Sequence, residues 1–81
     1  MTADIGTLSV RRRRGESLVF TLPNQKKIKV TVPLRGPAHF LICNDIAALK
    51  AAKVAFKVIG EGKQVQVIVF APKSVLIERA D

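Results

Sequence analysis

Arg11, Arg12, Arg13 and Arg14 form an unbroken run of four guanidinium groups near the start of the chain, and Arg79 stands near its other end. A guanidinium offers a planar fork of donors that fits phosphate and the edge of guanine, and it stacks on bases. Side chains alternate along an extended strand, so Arg11 and Arg13 share one face while Arg12 and Arg14 share the other. Neither face can be buried without partners, because an unpaired charge in an apolar interior is strongly unfavourable. The run therefore belongs at a sheet edge, a strand end or a groove. By itself it is a moderately specific signal, and a non-specific charged patch is its plain alternative.

Catalytic chemistry has little to draw on. His39 and Cys43 are the only residues of their types. In one strand they would share a face yet stand about 13 Å apart, too far for a thiolate–imidazole pair. The six acids, Asp4, Glu16, Asp45, Glu61, Glu78 and Asp81, are scattered among turns, caps and tails. No pair is spaced for acid–base work, and no Cys/His set fits a metal. No glycine loop precedes a helix in a phosphate-cradling pattern. The reading is a binding protein without cofactor, metal or small-molecule substrate. The four phenylalanines (Phe20, Phe40, Phe56, Phe70) all lie in apolar runs and are expected in the core.

Fourteen Lys and Arg against six Asp and Glu leave a net charge of +8 on 81 residues. Such a surplus repels itself in a compact state, and a polyanion would relieve it. The chain has no apolar run long enough to cross a membrane. Its N-terminus lacks the character of an export signal, and a lone cysteine excludes an internal disulfide, so the cytoplasm is expected.

The elements that would position the arginines are mostly strands. Residues 1–6 read as a loose end, and residues 7–14 as a first strand closed by a Gly15-Glu16 turn. Residues 17–22 read as a second strand, followed by a turn at Pro23-Asn24-Gln25. Residues 26–32 alternate, with Lys27, Lys29 and Thr31 on one face and Ile28, Val30 and Val32 on the other. After a loop at 33–37, residues 39–43 suggest a deeply buried strand. Asn44 or Asp45 can cap a helix over roughly 45–54, with Lys50, Lys53 and Lys57 as its basic edge. Strands at 56–59, 64–70 and 74–79 follow, the last two separated by a break at Ala71-Pro72-Lys73. The expected fold is mainly β: a single domain (1–81), a small antiparallel, barrel-like sandwich of about six or seven short strands with one short helix.

Two segments carry a resemblance. Leu8-Ser9-Val10-Arg11-Arg12-Arg13-Arg14-Gly15-Glu16-Ser17-Leu18 resembles the start of the carbon storage regulator family, whose first strand bears a leucine, two arginines and a Gly-Glu turn. Residues 62–79 look like that family's last hairpin, with its Ala-Pro-Lys break and a short strand ending in arginine. The resemblance implies an all-β, strand-interleaved homodimer that binds GGA-containing RNA in hairpin loops or mRNA leaders, or small regulatory RNA, to control translation. It implies contacts from Val10, Arg12 and Arg13 on the first strand and from Ile77 and Arg79 on the last, with Arg11 and Arg14 completing the basic set. Residues 23–53 have no counterpart in ordinary members, and the family's C-terminal helix is missing before Asp81. The added strands could let one chain supply pairings otherwise borrowed from a partner. Two other readings remain: a nucleic-acid-binding β-protein without sequence preference, and a module that pairs with related regulators.

Overall fold

The computed structural model describes residues 5–80. Among them are seven strands and one helix: β1 (Ile5–Arg13), β2 (Ser17–Thr21), β3 (Lys27–Thr31), β4 (Ile42–Cys43), α1 (Ile46–Ala51), β5 (Ala55–Ile59), β6 (Gln64–Pro72) and β7 (Leu76–Ala80). They form two antiparallel sheets, one ordered β1-β6-β5 and the other β4-β3-β2-β7. The mainly β, two-layer fold expected from the alternation is thus present. Within one chain, β1 pairs with β6 and β2 pairs with β7. The first two strands therefore lie in different layers, and each takes a strand from the C-terminal half as its neighbour.

Alternation decides which side of each sheet is inside. In β3, Ile28 and Val30 are buried between exposed Lys27 and Lys29. In β6, Val65, Val67 and Val69 point inward while Gln64, Gln66 and Phe70 point out. These valines meet Val10 of β1 on their own sheet, and Leu18, Phe20, Ile28 and Val30 of the other, in a single apolar cluster. Phe20 and Phe56 cross the gap edge to face, with centroids 5.3 Å apart and planes at 80°. Such a contact adds about 1 kcal/mol beyond the area it buries.

Several boundaries differ from expectation for local reasons. Of the expected loose end, residues 1–4 lie outside the described residues, whereas Ile5 and Gly6 pair with Pro72 and Ala71. Pro72 thus closes β6 instead of following it. Beyond Phe70, β6 has no β5 partner, and a proline is tolerated on such a one-sided stretch. The expected buried strand at 39–43 shrinks to the two residues of β4. A turn bonds the Phe40 N–H to the Pro37 carbonyl (3.2 Å), and Phe40 and Ile42 are exposed.

The helix is shorter than expected because it stops itself. The Asp45 side chain accepts from the Ala48 N–H at 3.1 Å, and Lys53 adopts a left-handed conformation (φ 65°). The Val54 N–H then reaches the Leu49 carbonyl and the Lys53 N–H the Lys50 carbonyl, both at 3.0 Å. This is a Schellman motif, and buried Val54 and Leu49 supply its hydrophobic contact. Lys57 lies on β5, so the expected basic edge of the helix does not form.

Candidate nucleic-acid interface

The four consecutive arginines part company at the first step beyond sequence. Across from β1 on β6, Arg12 faces Val65 and Val10 faces Val67, so both point between the sheets. Val10 is 5% exposed and Arg12 7%. Arg12 is held by the carbonyls of Ser17 and Arg11 (both 3.1 Å), with the Glu16 carboxylate 3.7 Å away. A buried guanidinium persists only when its donors are met. Arg12 meets this condition by tying the end of β1 to the start of β2.

Arg14 is a second structural clip. Its guanidinium donates to the carbonyls of Gly36 (2.7 Å), Glu61 (2.8 Å), Gly62 (3.0 Å) and Pro33 (3.1 Å). One side chain thereby joins the β1–β2 corner, the loop after β3 and the hairpin between β5 and β6. The corner itself turns on Gly15 (φ 88°), where an added Cβ would come within 2.9 Å of the Leu34 side chain. Glu16 closes the turn by accepting from the Arg13 N–H at 2.7 Å.

Arg11 and Arg13 occupy the opposite face of β1, exposed on the outside of the three-stranded sheet. Their side chains make no hydrogen bond or ion pair among the described residues. Arg79 is likewise exposed and unengaged. It sits across from Leu18 on β2, one step from the Ala80–Ser17 pair, and Ser17 is the residue whose carbonyl receives Arg12. Ile77 is opposite Phe20 and packs on the core. β1 and β7 are both edge strands, and a cleft of about 140 Å³ lined by Thr7, Leu8, Val75 and Ile77 runs between them. Three exposed guanidinium groups on these edge strands thus have no partner among the described residues: Arg11 and Arg13 on the outer face of β1, and Arg79 on the face of β7 that it shares with Ile77.

Sequence reasoning passed over the outer face of the β1-β6-β5 sheet. Register sets Thr7, Phe70 and Ala55 in one row, Ser9, Ile68 and Lys57 in the next, and Arg11, Gln66 and Ile59 in a third. Phe70 is 38% exposed there, and Phe40 is 64% exposed elsewhere, so two of the four phenylalanines lie outside the core. For Phe70 the signal was available, since it alternates with three valines. His39 lies in the turn before β4, its Nδ1 3.9 Å from the Glu61 carboxylate, and shares no strand with Cys43. No group of three metal-ligating side chains exists among the described residues, and none of their helices is long and apolar enough to cross a membrane.

No family model, curated protein or solved structure matches the chain.

Proposed function

We propose that this chain is an RNA-binding regulator of translation or mRNA stability that acts on GGA-containing hairpin loops or mRNA leaders. Supporting this reading are three exposed guanidinium groups on edge strands from opposite ends of the chain, Arg11 and Arg13 on β1 and Arg79 on β7, none of them engaged among the described residues. In this reading Arg79 reads a guanine edge with its donor fork, and Arg11 and Arg13 neutralise phosphate. Arg12, Val10 and Ile77 act from beneath, Arg12 tying β1 to the start of β2 while Val10 and Ile77 pack on the core. The motif resemblance at both chain ends supplies the GGA preference, and the net charge of +8 supplies long-range attraction. The protein works without a cofactor, as a binding module and not an enzyme, in the cytoplasm and as a homodimer.

The test is a titration of the full chain against a GGA-loop hairpin and a loop-scrambled control. Arg79→Ala should weaken the hairpin by about 10- to 100-fold, the loss of one bidentate base contact, and affect the scramble far less. Equal weakening of both RNAs, or of neither, would remove the sequence-selective site. Light scattering with and without RNA would report the mass and stoichiometry of the complex. A result of one chain per complex would retire the dimer.

A further inference from the structure

We infer that the outer face of the β1-β6-β5 sheet is a stacking platform for single-stranded nucleic acid, continuing the path of an RNA held by the edge-strand arginines. It builds on the reading above and adds to it a second, sequence-tolerant surface. The central strand offers Phe70 and half-buried Ile68 as a flat apolar strip. Lys57 on β5 stands beside Ile68, and Arg11 and Arg13 on β1 follow in the next two rows, beside Gln66 and Gln64. Gln66, hydrogen-bonded to Ser9, adds amide groups in the next row. Rings for bases, cations for phosphates and amides for base edges are what a single strand requires.

Charge selects this occupant over the alternatives. No Asp or Glu lies in any row of this face. A second copy packed on it would set Arg11, Arg13 and Lys57 against their own counterparts with no carboxylate between them. A lipid surface would call for a protruding apolar wedge, whereas Phe70 is only 38% exposed and lies on the sheet.

The probe is a single-stranded RNA of about 10 nucleotides carrying 2-aminopurine, titrated into the full chain. Stacking on Phe70 should quench the fluorophore. Phe70→Leu should abolish the quench and weaken binding about tenfold, while Phe70→Tyr keeps both. Lys57→Gln should weaken binding a few-fold and lower the salt slope by about 1. A folded Phe70→Leu protein (native circular dichroism) with unchanged affinity and quench would overturn the platform. So would Phe70-dependent binding of phosphatidylserine vesicles or polyglutamate without quenching of the RNA.

The GGA-loop hairpin without flanking strands separates the two claims. If it binds selectively through Arg79 while Phe70 matters to no RNA, the platform fails and the loop site stands. If the single strand is quenched through Phe70 while hairpin and scramble bind alike, the loop site fails and the platform stands. No binding by either RNA overturns both.

Discussion

Neighbouring arginines of the same run divide between scaffold and surface: the strand's two-residue period separates Arg12 from Arg11 and Arg13, and Arg14 lies in the turn beyond β1. Arg11 and Arg13 face solvent, whereas Arg12 is buried and Arg14 is bonded to four backbone carbonyls. Substitution should separate the classes. Arg14→Lys retains the charge but cannot reach several acceptors at once, so it should cost about 2 kcal/mol in a urea melt. The double change of Arg11 and Arg13 to Gln should leave that melt within about 0.5 kcal/mol and lower RNA affinity steeply at low salt. A titratable contact sits at the helix start. The Lys26 ammonium and the Ala48 N–H hold the Asp45 carboxyl below its ordinary range. A depressed carboxylate contributes above its unfolded pKa and loses that contribution as the pH falls through the folded one. The stability difference between wild type and Asp45→Asn should therefore be constant from about pH 7 to about pH 5 and narrow below about pH 4.

Element by element, periodicity was the most legible signal. The alternation in Lys27–Thr31 and in Gln64–Pro72 names the buried residues of β3 and β6 outright. What escaped was set by backbone geometry that no side-chain pattern encodes. The helix ends at Lys53 because a left-handed residue there lets Val54 cap Leu49, although Ala, Lys and Val around it would all continue a helix. Lysine is strained in that conformation and glycine is not. Lys53→Gly should thus raise the melting temperature by a few degrees, while Lys53→Ala should not. Similarly, an apolar run at 39–43 looks like a buried strand, yet the Pro37–Phe40 turn leaves only Ile42–Cys43 to pair with β3. The candidate site was half legible. That Val10 and Arg12 share a face, and Ile77 and Arg79 another, follows from alternation. That the first pair faces inward depends on which side β6 turns toward β2, a matter of layer packing. The exposure of Phe70 has the same origin.

The molecule as a whole is stitched from its ends. β1 waits for β6, β2 is completed by β7, and the hairpin of β2 with β3 is the only sheet pairing confined to residues 5–40. A chain cut after residue 63 would retain Phe20, Ile28 and Leu49 but lose Val65, Val67 and Val69 from the same cluster. A domain this small has only about 5–15 kcal/mol of stability, and each buried valine is worth about 1.5–3 kcal/mol. The truncated chain should show no cooperative melt by circular dichroism. The same wiring has a consequence for synthesis. Since the partner of the arginine-bearing strand is translated more than fifty residues after it begins, the nascent chain exposes its cations before it can order them. Ordering must await the final hairpin, and that long delay favours slow closure with transient attraction to any polyanion nearby, the message under translation included.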